Sequence, residues 1–408
     1  MNATCDKPNL HSIEHTIASL KALLKFDLEN ETVDLFHAEK RILAHDVFAQ
    51  VDVPAWNNSA MDGYGFNSLD LIGKTSLPVA GIMAAGDNPN QCILRGNCFR
   101  IYTGAPIPHG VDTVVAQENC RIVGNTVIFD EFEFGQNIRK QGEETRKDAL
   151  LLKKGTQLRA QEVGLLASQG YHQIQVYKPL KVGILSSGNE LAIPGEKIRE
   201  GQIYDVNRYT LNALFKGWGC TVTHYPNLPD SLNETVNSLE KTSQEQDIII
   251  TSGAVSVSEA DHIKAAVQQL GEINLWRVAI QPGKPFAFGK IGKAAWIGLP
   301  GNPAASLITS CIMVRPALFC ALGKNFKDEA PLRFKAVFNT RSSVRQQYLQ
   351  ARLVQSEGKT SVELHPKQSS AMLANASWAE GLAVIPPNTC IAEGDRVQFI
   401  PYSMLQNQ

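Results

Sequence analysis

Asp247-Ile248-Ile249-Ile250-Thr251-Ser252-Gly253 is a short apolar run that stops abruptly at two hydroxyls and a glycine. A run this short, closed by a turn signal, reads as a buried strand rather than a helix. Two further runs have the same form: Lys181–Leu185 leads into Ser187-Gly188, and Ala294–Leu299 leads into Pro300-Gly301. Helical patterns at Tyr209–Lys216 and Asp261–Leu270 lie between them. Strands alternating with helices build a mainly parallel sheet covered on both faces. In such sheets ligands bind outside the carboxyl ends of the strands, where these three loops fall.

On either side the pattern changes. Ile13, Ile17, Leu20 and Leu24 recur at helical spacing, so Ile13–Phe26 reads as an amphipathic helix. His11 and His15, one turn apart there, have a spacing that can bind metal, but no third ligand or Glu accompanies them, so they read as ordinary exposed histidines. From Asp46 to Phe134, short apolar stretches such as Thr113–Ala116 and Asn125–Phe129 alternate with Gly, Asn and Pro, the mark of a β-rich domain. Gln161–Ser168 is helical again. After Gly323, strand-like segments at Lys335–Phe338, Tyr348–Val354, Ser361–Leu364, Ala383–Ile385 and Arg396–Ile400 are divided by turn residues, as in a small barrel or sandwich.

The 408 residues exceed one ordinary core. A 43% hydrophobic and 19% charged composition is that of a folded protein. The net charge of −1 supplies no general field for nucleic acid or an anionic membrane. The 8 cysteines form no C-x-x-C pair and no zinc spacing, so they read as reduced structural thiols in a reducing compartment. No basic start leads into an apolar signal, and no run is expected to approach a membrane span, which makes the cytoplasm the expected location.

Three loops carry the clearest binding chemistry. Thr251-Ser252-Gly253-Ala254-Val255-Ser256 joins a strand to a helix; it is either a tight turn or an anion cradle of backbone N–H groups, with Glu259 and Asp261 adding carboxylates suited to Mg²⁺. Gly298-Leu299-Pro300-Gly301-Asn302-Pro303 opens the helix Ala304–Cys311, with Asn302 fit for the N-cap and Pro303 for the first helical position. That accounts for its last two residues but not for Pro300 and Gly301, for which a rigid grip on a planar ring is one answer. Pro282-Gly283-Lys284-Pro285 holds one ammonium between prolines, either solvated or a fixed charge for a phosphate. In Gly201-Gln202-Ile203-Tyr204-Asp205-Val206-Asn207, Asn207 is expected to cap the following helix, leaving Asp205 free for ribose hydroxyls or a metal water.

With Asn58-Ser59-Ala60-Met61-Asp62-Gly63-Tyr64 and Thr103-Gly104-Ala105-Pro106, these make six motifs in fixed order. Together they resemble the molybdopterin molybdenumtransferases over Ile13 to Pro401. The resemblance implies an α/β multidomain fold: a discontinuous helical domain (1–45 plus 140–177), an inserted β-rich domain (46–139), a central α/β molybdopterin-binding domain (178–326) and a C-terminal β-barrel domain (327–408). It implies insertion of molybdate into adenylyl-molybdopterin, with Mg²⁺-dependent release of AMP. It makes Asp62, Thr103, Glu190 and Asp261 catalytic candidates. Asp205, Ser252, Gly253, Ser256, Lys284, Gly298, Pro300, Gly301 and Pro303 become binding candidates, and Glu190, Asp205 and Asp261 metal ligands. Asp112, Glu118, Arg139 and Gly142-Glu143 also match the pattern. The implied partners are a second copy of the chain, which brings Asp62 and Thr103 across a dimer interface, a molybdopterin adenylyltransferase, and molybdoenzyme apoproteins or their chaperones.

The chain departs from that family pattern at Asn189 (usually Asp), Ala254 (usually Gly), Val206 (commonly Ser) and Gln350 (commonly Arg). These changes keep open a second reading, a noncatalytic molybdopterin-binding carrier or regulator. A nicotinamide dehydrogenase is disfavoured because no strand opens into G-x-G-x-x-G.

Overall fold

The computed structural model describes residues 10–228, 230–253, 262–327 and 330–406, without the side chains of Leu275 and Trp276. They fall into two compact units: one holds the described residues of 1–31, 40–44 and 176–408, the other residues 32–39 and 45–175.

The first unit is built on a six-stranded sheet in the order Thr221–His224, Lys181–Ser186, Ile248–Ser252, Ala294–Leu299, Pro285–Ile291, Gly271–Arg277. The first four strands are parallel, as expected. The last two run antiparallel, a hairpin the sequence reading did not include. Successive side chains of a strand point to opposite faces, and the triple isoleucine uses both. Ile248 and Ile250 pack with Leu211, Phe215, Trp218 and Leu318 on one face, while Ile249 packs with Leu239, Ile263, Val267 and Trp296 on the other. The N-terminal helix Ile13–Leu23 joins the first of these cores through Ile13 and Leu20, capped by the Ser12 side chain on the His15 N–H.

One expectation about length fails. Pro303–Ala321 is a continuous helical run of 19 residues, long and apolar enough to cross a membrane by length and composition, but 89% of it is buried inside the protein. It is a core helix. Its middle, Ser310–Val314, widens to a π-turn just before Pro316. A proline there supplies no N–H and crowds the preceding turn, which accounts for the local widening.

The C-terminal strands Gln346–Ser356, Lys359–Leu364, Leu332–Ala336, Arg396–Pro401 and Gly381–Ile385 pair in that order, and the last pairs back to the first, closing a five-stranded barrel. Leu349, Ala351, Val362, Ile385, Val397 and Phe399 fill it. Ile280–Gln281 of the α/β region adds to the 346–356 strand in parallel, which ties the barrel to the Pro282–Pro285 loop.

The second unit carries a six-stranded sheet in the order Thr113–Ala116, Gly63–Phe66, Cys98–Ile101, Ser76–Met83, Thr126–Phe129, Cys120–Val123, and the helix Ala160–Ser168. Gly63 is required by pairing on both sides, because a Cβ there would lie 2.1 Å from the Val115 carbonyl oxygen. The seven described cysteines are free thiols, and burial pushes those of Cys98, Cys220 and Cys311 up to about 12.

Candidate active site

At the carboxyl ends of the parallel strands the first unit opens into a cavity of about 980 Å³. Its wall includes Ser187, Glu190, Asp205, Asn207, Ser252, Gly253, Lys284, Pro300, Gly301 and Pro303. Most of the binding candidates described here therefore meet in one place, although they span more than a hundred residues of sequence.

Backbone geometry explains the glycines. The Ile248–Ser252 strand ends with Ser252 paired to Ser186 on one side and Leu299 on the other. Gly253 then turns at φ +95°, and a Cβ would sit 2.8 Å from the Ser187 carbonyl oxygen. Its N–H donates to the Leu299 carbonyl at 3.3 Å. Gly283 turns at φ +107°, where a Cβ would lie 2.2 Å from Thr309 Cγ2. Both loops are thus closed backbone against neighbour, and only glycine satisfies them.

Three expectations are corrected. Gly298 does not face the cavity: it lies inside the 294–299 strand, paired to Thr251 and Ala287. Asp205 is not a free carboxylate ahead of a cap. It is itself the N-cap of Val206–Gly217, accepting from the Arg208 N–H at 3.1 Å and from Arg208 Nε at 3.1 Å, and it is only 2% exposed. Asn207, the expected cap, lies inside that helix, 8% exposed, and donates Nδ2 to Ser252 Oγ at 2.6 Å and to the Gly301 carbonyl at 2.7 Å. The helix begins earlier than the sequence indicates because a carboxylate at 205 reaches the N–H three residues on. Asn302 and Pro303 stand at the N-cap and first helical position as expected. The Asn302 side chain, however, donates to Ser370 Oγ at 3.0 Å instead of capping. Ser256 and Asp261, with Ala254 and Glu259, lie outside the described residues.

The charge balance of the cavity favours an anion. Among the described residues, Lys284 Nζ and the Arg345 guanidinium line it without an ion-pair or hydrogen-bond partner. The Asp205 charge is neutralised by Arg208, and Glu190 is the exposed carboxylate that remains. Arg345, Gln350 and Gln368–Ala371 come from the barrel. The sequence reading noticed Gln350 only as a departure and missed the others, which carry no motif. Gln350 is 3% exposed; its Oε1 accepts from the Tyr402 hydroxyl at 2.6 Å while its Nε2 has no partner among the described residues.

Asp62 and Thr103 lie in the second unit. The Asp62 carboxylate accepts from both the Thr103 N–H and its hydroxyl, each at 2.7 Å. The backbone bond first, then the hydroxyl, hold its pKa below the usual carboxylate range, with a smaller contribution from the Arg100 charge. The Arg100 guanidinium lies over the Tyr64 ring at 5.1 Å and the Tyr102 ring at 5.0 Å. Asp112 is occupied structurally, accepting from Ser68 N and Oγ and from Thr113 Oγ1.

A parallel α/β domain whose strand-end cavity offers, among the described residues, unpaired cations, one free carboxylate and buried amide groups is an enzyme-type site for an anionic small molecule. Comparisons with known proteins agree. Residues 11–170 match the MoeA N-terminal region (domain I and II), 183–319 a probable molybdopterin binding domain, and 336–402 the MoeA C-terminal region (domain IV). The molybdopterin molybdenumtransferase of Haemophilus influenzae is 40% identical over 316 residues, spanning 77% of this chain and 78% of its own. That of a Nostoc species is 33% identical over 407 residues, spanning 96% and 93%. The crystal structure of the molybdopterin biosynthesis MoeA protein from Pyrococcus horikoshii OT3 superposes with a TM-score of 0.83 at 25% identity, covering 97% of this chain and all of that one. The chain belongs to the molybdopterin molybdenumtransferase family, and with it to the transferases.

Proposed function

We propose that the chain inserts molybdate into adenylyl-molybdopterin, giving molybdenum cofactor, with Mg²⁺-dependent release of AMP. The observation that carries this reading is the strand-end cavity, where Lys284 and Arg345 have no partner among the described residues and lie beside the Gly253 and Pro300-Gly301 turns. Two fixed cations suit the phosphates of the adenylate, and the stiff prolyl walls suit a flat ring.

The carboxylates do not all fit a metal. Glu190 is exposed in the cavity wall and fits, whereas both Asp205 oxygens are held by Arg208 and do not. Asp261 completes the proposal from outside the described residues. Mg²⁺ takes one or two carboxylates together with phosphate oxygens and waters, and it would supply charge neutralisation at the phosphoanhydride. Ser252, Gly253, Lys284, Pro300, Gly301 and Pro303 bind and orient the substrate. In this proposal Asp62 and Thr103 of a second copy help place molybdate, so the working form is a homodimer. The four-domain division given above belongs to the same reading, as do a cytoplasmic location, an adenylyltransferase upstream, and apoenzymes or their chaperones downstream.

The carrier reading rests on Asn189, whose Nδ2 donates to Asp230 Oδ2 at 3.3 Å where a charged side chain is usual in the family pattern. Supplying adenylyl-molybdopterin, Mg²⁺ and molybdate together separates the two. AMP release that requires molybdate is expected. Tight binding of the adenylate without release would make the chain a carrier.

A further inference from the structure

Asn207 has one amide group and spends its donor half completely. One Nδ2 hydrogen goes to Ser252 Oγ at 2.6 Å and the other to the Gly301 carbonyl at 2.7 Å. A carbonyl oxygen only accepts, so the Gly301 contact fixes which end of the amide is nitrogen. The opposite end, Oδ1, is buried and has no hydrogen-bond partner among the described residues. Asn207 is 8% exposed and lines the cavity between the two ligand loops. A buried acceptor left empty is costly, and native proteins fill such groups from protein, water or ligand.

We infer that Asn207 Oδ1 is a recognition group of the cavity that accepts a hydrogen bond from an N–H or O–H donor of the ligand. The inference rests on the adenylyl-molybdopterin reading and deepens it. It makes the cavity bipartite. Lys284 and Arg345 suit anionic oxygens, while an amide oxygen locked in this orientation repels them and selects a donor edge. Adenylyl-molybdopterin offers two such sources, the N–H groups of its pterin ring and the hydroxyls of its ribose. The same amide clamps Ser252 to Gly301, so the acceptor is positioned by the loops it serves.

The test uses the full chain and two separate probes, a simple 6-substituted pterin and AMP, with dissociation constants measured by calorimetry and melting temperature followed in parallel. In Asn207→Ala, one probe is expected to weaken tenfold or more while the other stays within twofold, and the weakened probe identifies the donor. Asn207→Ser is read by the same criterion if the alanine variant does not fold. Equal weakening of both probes, or no weakening of either, would overturn the inference and leave Asn207 a structural clamp. A parent that binds neither probe would instead remove the pterin-nucleotide reading of the cavity, and this inference with it.

Discussion

Asp205 and Asp62 look alike in sequence, each an aspartate in a polar loop near glycine, yet the protein uses them in opposite ways. Asp205 is buried at the start of a helix and neutralised by Arg208, so its charge is spent on holding the cavity wall. Asp62 sits near the surface of the β-rich unit, where two donors from Thr103 fix its carboxylate but leave it ionised. A carboxylate facing a guanidinium inside a protein is architecture; one held by a backbone N–H and a hydroxyl, open to solvent, keeps its charge, which the proposed reaction would use. Burial and partner, rather than residue type, decide the role.

The comparison breaks most clearly at Asp205. Asp205→Ala removes both the helix cap and the only anionic partner, among the described residues, of a mostly buried guanidinium. Breaking a buried pair on one side costs about 3–5 kcal/mol, so a large fall in denaturation midpoint is expected. A midpoint close to the parent's would return Asp205 to the pool of free ligands. Next in size is Gly253→Ala. The left-handed backbone costs an alanine about 1–2 kcal/mol, and the methyl also meets the Ser187 carbonyl oxygen. Lower stability together with weakened adenylate binding is expected, whereas tolerance of alanine would mean that the turn is not held as described.

At Asp62 the expected effect on stability is the smallest and that on turnover is severe. Asp62→Asn should melt only slightly below the parent while losing AMP release. Thr103→Val keeps the backbone donor and removes the hydroxyl, so the Asp62 pKa should move part of the way back up toward the ordinary carboxylate value. Because the folded-state pKa is depressed, Asp62 contributes stability above its ordinary pKa and loses it as pH falls through the depressed one. Thr103→Val should therefore shift that loss to higher pH, which carboxylate NMR titration reads directly. An unchanged titration would separate Thr103 from Asp62.

Much of the fold was legible because its signals are local. Ile248–Ile250 bounded by Thr251-Ser252-Gly253 declares a buried strand and its exit loop, and the barrel strands from 346 to 401 are spaced by their own turns. The hairpin 271–277 with 285–291 was not legible, since Pro285 and Gly289 interrupt the pattern that its pairing makes sound. At the site, glycine and proline announced the loops, but the roles of Asp205 and Asn207 were exchanged. Both are good cap residues, and only the three-dimensional position of Arg208, Ser252 and Gly301 decides between them. Arg345 and Ser370 were invisible because what recruits them is the closure of the barrel beside the cavity. Ser370 accepts from the Ala304 and Ala305 N–H groups at 3.0 and 3.2 Å, a contact between segments far apart in sequence.

The central proposal is that a binding cavity and the Asp62–Thr103 pair, borne on separate units of the chain, act together in one reaction through a homodimer. Mixing an Asp62→Ala chain with a Lys284→Ala chain and measuring molybdate-dependent AMP release tests it most directly. Each variant alone should be inactive, and mixed dimers should recover part of the parent rate, because one of their two sites pairs two intact halves. Mixed dimers that form and recover nothing, or a parent that is fully active at the mass of a single chain, would contradict the account.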